Sequence, residues 1–184
     1  MRGYRPTIGG TANPAVRGGA TAKNNGRYNG NGRDWETPPE VFGPLHEEFR
    51  FTLDPCATAG TAKCARYFSE SDDGLARSWT GERVFMNPPY GREIYAWTAK
   101  ARREAAGGAL VVGLLPASTD LAWWHDDVLG TAAEIRYIRG RVRFLTGGPY
   151  RASGFFASVV VIWRPYDPPV WLRTFTGSCC GEGG

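Results

Sequence analysis

The stretch Arg83-Val84-Phe85-Met86-Asn87-Pro88-Pro89-Tyr90 decides how the rest of the chain is interpreted. Val84 to Met86 form a short apolar run with the length and composition of a buried strand. The run ends at two prolines, which cannot donate to a sheet ladder and which restrict the preceding residue. A glycine and a helical pattern follow. Because ligands bind beyond the carboxyl ends of strands in an open α/β sheet, we expect Asn87 to Tyr90 to face such a crevice.

The Asn-Pro-Pro-Tyr turn carries groups suited to one kind of chemistry. An exocyclic amino group on a base is a poor nucleophile, because its lone pair is delocalised into the ring. Asn87 offers an amide oxygen and Pro88 a backbone carbonyl, and these two acceptors would localise that lone pair. Tyr90 offers a flat face for stacking a flipped-out base. The alternative is a strand that ends in an ordinary turn, because Asn-Pro is a common turn signal.

Length and cysteine usage limit the class of protein. A chain of 184 residues suits one domain with a substantial core. No apolar run reaches 18 residues and the N-terminus lacks an apolar signal core, so we expect neither a membrane span nor a leader. Cys56, Cys64, Cys179 and Cys180 lack the CxxC spacing of a metal site. This usage predicts no metal and a reduced, cytoplasmic setting.

Positive charge is concentrated at the N-terminus. Residues 1–33 contain six of the 22 basic residues and no acid, which leaves 16 basic against 18 acidic residues, a net charge of −2, in residues 34–184. Residues 1–33, rich in Gly, Asn and Arg, are predicted to be a disordered arm that holds nucleic-acid phosphates loosely. A solubilising extension is an equally good interpretation. We expect one domain over 34–175 and a flexible tail over 176–184.

The remaining pattern alternates helices and strands, which predicts an α/β fold. Thr37 is expected to cap a helix over 38–49, and the next strand is expected to end at Asp54. Further segments are a short strand at 67–68, helices over 91–107 and 119–129, a central parallel strand over 109–116, and an antiparallel pair over 134–144 and 158–164.

An arginine-rich segment is the predicted site of nucleic-acid binding. Its arginines alternate with apolar residues, so a strand would place the two kinds on opposite faces. Residues 147–151 are expected to form an exposed glycine-rich loop near the same edge. A solvated strand face is the alternative. The predicted contacts are Arg139, Arg141, Arg143 and Arg151.

A series of motifs in one order resembles a known family. The motifs are Trp35-x-Thr37-Pro38, Leu53-Asp54-Pro55-Cys56-Ala57, Asp72-Asp73-Gly74-Leu75-x3-Trp79, Asn87-Pro88-Pro89-Tyr90-Gly91, Leu115-Pro116-Ala117, Trp123-Trp124-His125 and Arg139-Gly140-Arg141-x2-Phe144. Together they resemble the small phage and prophage DNA N6-adenine methyltransferases, the Dam-like group. The resemblance extends from about residue 34 to about residue 164.

The resemblance implies a compact, Rossmann-like fold of the S-adenosylmethionine-dependent methyltransferases, with a C-terminal antiparallel β-hairpin. The implied activity is methyl transfer from S-adenosylmethionine to N6 of adenine in DNA, in the cytoplasm of a bacterial host cell. The catalytic motif corresponds to Asn87, Pro88, Pro89 and Tyr90. The implied cofactor-binding residues are Trp35, Thr37, Pro38, Asp54, Pro55, Cys56, Ala57 and Asp73.

Two features depart from the usual pattern of such enzymes. The cofactor loop usually has closely spaced glycines that let the backbone approach the ligand, but here only Gly60 lies near Asp54. The segment between Asp54 and Asn87 is also too short for two full β-α units. We therefore expect at least one helix, and with it a strand, of the cofactor half to be shortened or missing.

Two other functions are consistent with the same residues. A protein methyltransferase that acts on glutamine also presents a conjugated nitrogen to an Asn-Pro-Pro-Tyr turn. A non-catalytic DNA-binding protein could have kept the fold, although the intact turn argues against it.

Overall fold

The computed structural model describes residues 35–145, 151–153 and 156–165. The predicted N-terminal arm, the C-terminal tail and the loop at 147–150 lie outside the described residues.

Six strands form one mostly parallel sheet, and two more form a small separate one. The strands are β1 (Leu53–Asp54), β2 (Arg66–Tyr67), β3 (Arg83–Met86), β4 (Leu110–Pro116), β5 (Glu134–Tyr137), β6 (Arg143–Leu145), β7 (Arg151–Ser153) and β8 (Ser158–Trp163). The large sheet has the order β2-β1-β3-β4-β8-β5, and β6 pairs with β7. Strands β2, β1, β3 and β4 are parallel, whereas β8 is antiparallel to both of its neighbours. This mixed α/β architecture confirms the predicted α/β class and is compatible with a Rossmann-like fold.

The two main helices match the sequence pattern. Helix α1 spans Pro39–Phe49 and buries Leu45 and Phe49. Helix α2 spans Ile94–Ala106 and ends at Gly107. Between Trp124 and Val128 the chain forms only a π-helical turn, so the predicted helix over 119–129 is too long.

Thr37 is not the cap of α1, and this prediction was wrong. The N-cap position is occupied by Pro38, without a side-chain hydrogen bond. The first helical residue is Pro39, which has no N–H to satisfy and already has the φ angle of a helix. Thr37 instead has its side chain buried, with only 2% of the residue exposed.

The core lies around β4 and β8. Every residue from Val111 to Pro116 is buried, as the uninterrupted apolar run predicts for a strand covered on both faces. All six residues of β8 are buried beside it. Because β4 and β8 are buried in the core, side chains can reach a ligand only from the edges of the sheet and from the ends of β1 and β3.

The predicted strand over 134–144 is interrupted. Strand β5 ends at Tyr137 and pairs with β8, and Gly140 then adopts a left-handed φ of 86°. Such a conformation suits glycine and breaks the extended chain, so β6 begins a separate sheet with β7. Arg139 consequently lies in a bend rather than on a strand. Arg151 was predicted to lie in a loop but is the first residue of β7.

The order of the strands creates a switch point beside β1. From β1 the chain moves to one side to form β2, then crosses to the other side to form β3. Ligands in open α/β sheets bind at such a point, outside the carboxyl ends of the strands. Neither connection between these three strands contains an α-helix, and only a 3₁₀ helix over Glu70–Asp72 lies between β2 and β3. β2 itself has two residues, so the expectation of shortened or missing elements in this half is confirmed.

Candidate active site

A cavity of about 320 Å³ lies at the carboxyl ends of β1 and β3, within the size range of small-molecule sites (roughly 300–1,000 Å³). It brings together the end of β1, the turn after β3 and the segment before α1. Of the residues predicted to bind a cofactor, those that line it are Trp35, Thr37, Asp54, Pro55, Cys56, Ala57 and Asp73, whereas Pro38 does not. From the predicted catalytic turn, Asn87 and Pro89 line the same cavity, whereas Pro88 and Tyr90 are buried and are not part of its lining.

Asn87 is held in one orientation by two hydrogen bonds. Its Nδ2 donates to the carbonyl oxygen of Trp35 at 2.8 Å, and its Oδ1 accepts from the Tyr90 hydroxyl at 3.0 Å. Since a carbonyl oxygen can only accept, reversing the amide would place two acceptors against each other. The Trp35 carbonyl therefore fixes which end of the amide is the acceptor. Sequence reasoning did not find this role, because it belongs to a backbone atom 52 residues away.

Tyr90 is the centre of an aromatic cluster. Its residue is 7% exposed, and its hydroxyl also lies 3.1 Å from the carbonyl oxygen of Leu114. The ring centroids of Phe156, Trp35 and Phe144 lie 5.2, 6.3 and 6.3 Å from that of Tyr90, each at a steep angle. Neighbouring rings thus cover the tyrosine that was predicted to stack on a base.

Asp54 organises the loop that follows it. Its carboxylate accepts hydrogen bonds from the backbone N–H of Cys56 at 3.4 Å and of Lys63 at 3.1 Å. Burial raises the pKa of Asp54 from 3.8 to about 6, although these bonds act in the opposite direction. Burial also raises the pKa of the Cys56 thiol well above its ordinary value, which keeps this cavity residue uncharged.

The two neighbouring acids in the Asp72-Asp73 pair have different environments. The Asp72 carboxylate accepts from the backbone N–H and hydroxyl of Ser69 at 2.9 and 2.5 Å. Asp73 is exposed, lines the cavity and has a left-handed φ of 53°. Of the two carboxylates, that of Asp73 is therefore the one placed to meet a ligand.

Gly74 is a site residue that the sequence analysis missed. An added Cβ would lie 2.0 Å from the Pro55 carbonyl oxygen, so only glycine permits this approach of two backbone segments. The indole Nε1 of Trp79 donates to the Gly74 carbonyl at 3.0 Å, and the Trp79 backbone N–H donates to Glu104 at 2.7 Å. The close backbone approach that a glycine-rich cofactor loop usually allows next to the first strand is thus made here by Gly74, from a later part of the chain.

Segment 35–37 touches three parts of the site. The Trp35 carbonyl holds Asn87, and the Glu36 backbone exchanges two hydrogen bonds of 3.0 Å with Leu145 in β6. The Glu36 side chain contacts Lys63 in the loop after β1. This segment therefore joins the cavity, the catalytic turn and the small sheet.

Three of the predicted arginines lie on or just before β6, a strand that packs against Trp35 and Tyr90 through Phe144. Arg139, Arg141 and Arg143 are exposed, whereas Val142 and Phe144 are buried, so the predicted alternation holds over 141–144. The Phe144 ring reaches Trp35 at 5.1 Å between centroids, which places β6 against the site. Within the described residues, none of these three arginines forms a salt bridge.

No group of three or more His, Cys, Asp or Glu residues in the described part of the chain is placed to hold a metal ion. No helix there is both long and apolar enough to span a membrane.

Comparison with known proteins connects this geometry to a family. The model of the DNA N-6-adenine-methyltransferase (Dam) family matches residues 27–177. The chain is 31% identical over 129 residues to "DNA N-6-adenine-methyltransferase" of Escherichia phage T1, which is 68% of this chain and 53% of the phage protein. It is 37% identical over 67 residues to "Putative methyltransferase YfdM" of Escherichia coli strain K12, which is 32% of this chain and 72% of that protein. The chain spans about half the length of the phage T1 relative.

The family match extends well beyond the Asn-Pro-Pro-Tyr turn. It includes the segment before α1, the end of β1, the Asn-Pro-Pro-Tyr turn and the arginines at 139–143 in one continuous range. The resemblance inferred from the order of the motifs is thereby confirmed. This chain belongs to the DNA N-6-adenine-methyltransferase (Dam) family.

Proposed function

We propose that this protein transfers a methyl group from S-adenosylmethionine to N6 of adenine in DNA. The observation that carries the proposal is one cavity shared by Asp54 at the end of β1 and Asn87 after β3. A cofactor held at the first strand end would lie next to an amide that can hold an amino group. Family membership and the phage T1 relative support the same reaction.

The cavity fits the proposed cofactor in the chemistry of its lining. Trp97 and Leu75 offer apolar surface, Asp73 and Asp54 offer acceptors, and the Thr37 hydroxyl is buried without a partner in the described residues. When bound, S-adenosylmethionine supplies an electrophilic methyl carbon on its sulfonium. The chain itself supplies the shape, the acceptors and the enclosure.

Asn87 acts on the amino group to be methylated. Its Oδ1 accepts one amino hydrogen through the lone pair that Tyr90 does not use, and the Pro88 carbonyl accepts the other. The two acceptors concentrate the nitrogen lone pair towards the methyl donor. Because Trp35 fixes the amide beforehand, little reorganisation is needed during the reaction.

Entry of the base requires the aromatic cluster to open. Tyr90 is 7% exposed, so a flipped adenine reaches its face only after a neighbouring ring has moved. Phe156 has the nearest centroid, at 5.2 Å, and it also stacks against Trp35 at 5.8 Å. We infer that binding of the target base displaces this packing.

Incubation with methyl-labelled S-adenosylmethionine tests the function directly. Unmethylated plasmid DNA and a protein extract are offered to the purified full-length chain, and modified nucleosides and amino acids are identified by mass spectrometry. N6-methyladenine in the plasmid is the expected product. Methylglutamine in the extract would favour the protein methyltransferase. DNA binding without either product, and without cofactor binding, would identify a non-catalytic DNA-binding protein.

Arg141 and Arg143, just before and at the start of β6, are expected to contribute to DNA affinity. Both arginines are exposed and have no salt bridge to any residue that the structure describes. Such arginines release counterions when they meet phosphates, and each contact adds about one to the salt slope. The double variant Arg141→Ala/Arg143→Ala should therefore bind DNA more weakly, with a salt slope smaller by about two. Arg103→Ala, which removes an exposed arginine from α2, is the matched control. An unchanged slope in the double variant would place DNA on another surface.

Asp54 is expected to make cofactor affinity depend on pH. The ionised carboxylate accepts from two backbone N–H groups and can accept from donors of a ligand, so protonation below about pH 6 should weaken binding. If binding lowers the pKa of Asp54 by about one unit, affinity for S-adenosylhomocysteine falls roughly fivefold between pH 7 and pH 5. Calorimetry at several pH values measures this, and Asp54→Asn should bind weakly with no step near pH 6.

The pH dependence of stability gives an independent check on the role of Asp54. Protonation of Asp54 should weaken cofactor binding, whereas it should stabilise the folded state. The folded state raises the pKa of Asp54 above its value of 3.8, so the folded chain holds this proton more tightly than the unfolded chain. The contribution of Asp54 to the free energy of unfolding therefore falls as pH rises from about 4 to 6. A loss of cofactor affinity at low pH would then not result from a loss of stability caused by protonation of Asp54. A flat affinity profile would mean that Asp54 only shapes the loop.

A further inference from the structure

Two opposite charges face each other on the cavity wall. The Lys63 Nζ lies 2.7 Å from the Glu36 Oε1, and both residues line the cavity. Their side chains are only 14% and 25% exposed, compared with 55% and 18% in the Arg66–Glu82 pair, which joins β2 to the residue before β3. Withdrawing two charges from water is costly, so such a pair is weak evidence for stability, and its position on the cavity wall allows both charges to meet a ligand.

The pair lies at the end of the cavity that adjoins the catalytic turn. Glu36 follows Trp35, whose carbonyl holds the Asn87 amide at 2.8 Å. Lys63 is fixed at its backbone by the bond from its N–H to Asp54. For methyl transfer, the sulfur of the proposed cofactor must lie near Asn87, and the methionine end of the molecule continues from that sulfur. The charges are therefore on the side where the amino-acid group of the cofactor must be.

A third polar group in this region has no partner. Thr37, next to Glu36 in the chain, lines the cavity and is 2% exposed. Its hydroxyl makes no hydrogen bond to any residue that the structure describes. Buried hydroxyl groups are nearly always bonded, and this one lies on the cavity wall, so it is free to bond a ligand atom there.

We propose that Lys63 and Glu36, together with the Thr37 hydroxyl, bind the zwitterionic amino-acid end of the cofactor, an inference that rests on the proposed function. Lys63 pairs with the α-carboxylate, and Glu36 pairs with the α-ammonium group. Binding exchanges one ion pair within the protein for two between protein and ligand, so no charge in the cavity is left unpaired. Neither charged residue was identified from the sequence.

Ligands that lack one charge at a time test this assignment by calorimetry. The Lys63→Met variant is expected to bind S-adenosylhomocysteine at least tenfold more weakly than the wild type. Its affinity for 5′-deoxy-5′-methylthioadenosine, which has the adenosine and sulfur but no amino-acid group, should change less than twofold. That second affinity also shows that the variant is folded and that its cavity is intact.

The two charges are separated with decarboxylated S-adenosylmethionine, which keeps the ammonium group and lacks the carboxylate. Glu36→Gln should weaken its binding at least fivefold, whereas Lys63→Met should weaken it less than twofold. Arg66→Met, which breaks an ion pair on β2 outside the cavity, is the matched control and should bind all three ligands like the wild type.

The outcomes separate this inference from the proposed function. If Lys63→Met weakened S-adenosylhomocysteine and methylthioadenosine equally, the pair would only support the loop, and the assignment would be overturned. The same holds if Lys63→Met bound all ligands normally. If the wild type bound none of the adenosyl ligands, the proposed cofactor itself, and with it the proposed function, would be wrong.

Discussion

Replacing Asn87 by alanine is expected to slow methyl transfer by on the order of 10²-fold or more. The Asn87 amide oxygen is the acceptor assigned to the reacting amino group, and alanine offers nothing in its place. The bonds that orient the amide, to the Trp35 carbonyl and from the Tyr90 hydroxyl, are internal to the protein. Affinity for S-adenosylhomocysteine should therefore stay within about twofold of the wild-type value. Single-turnover rates with plasmid DNA and calorimetry with S-adenosylhomocysteine measure the two quantities.

Tyr90→Phe separates the contribution of the Asn87 amide from that of the Tyr90 hydroxyl that orients it. This variant keeps the ring and removes the hydroxyl that donates to Asn87 at 3.0 Å. An internal hydrogen bond contributes about 0.5–1.5 kcal/mol, so we expect a loss of roughly tenfold or less. Thermal unfolding of both variants shows whether the turn remains folded. A near-normal rate for Asn87→Ala would remove Asn87 from the mechanism, whatever Tyr90→Phe does.

Local sequence patterns predicted the parts of this fold that depend on neighbouring residues. The apolar runs of β3 and β4 and the helical face of α1 are written in consecutive residues, and the structure has them within one or two positions. The interruption of β5 was missed although Gly140 lies within the predicted strand. Alternation of arginines with apolar residues continued through that glycine, and the alternation was given more weight than the glycine.

The contacts of the candidate site were harder to predict, because they join distant segments. Lys63 and Glu36 are 27 residues apart, and the carbonyl that fixes Asn87 belongs to Trp35. Nothing in a single sequence pairs a lysine in a loop with a glutamate before a helix. Gly74 was missed for a different reason. The acidic residues before it were noticed, but only Gly60 was considered as a cofactor glycine, because it is close to Asp54 in sequence.

Gly74→Ala is therefore expected to damage the cavity more than its small size suggests. The new methyl group would lie 2.0 Å from the Pro55 carbonyl oxygen and 3.1 Å from the Trp97 ring, so backbone must move. Overpacking of this kind costs typically 1–3 kcal/mol in stability. The turn over 54–57 can shift away only by leaving the position that lines the cavity. We expect affinity for S-adenosylhomocysteine to fall at least tenfold and the melting temperature to drop by several degrees.

Gly60→Ala distinguishes contact in space from proximity in sequence. Gly60 is exposed, and a Cβ added there meets nothing closer than the Thr58 hydroxyl at 3.9 Å. This variant should keep wild-type affinity and melting temperature, although Gly60 is the glycine that the sequence places near Asp54. The two alanine variants differ by position alone, so calorimetry and thermal unfolding on both compare the same chemical change. Equal behaviour of the two would mean that the Gly74–Pro55 approach does not shape the cofactor site, and that the end of β1 tolerates displacement. Loss of affinity in Gly74→Ala alone would assign to Gly74 the part that a glycine-rich loop plays in other nucleotide sites, namely close approach of the backbone at the strand end.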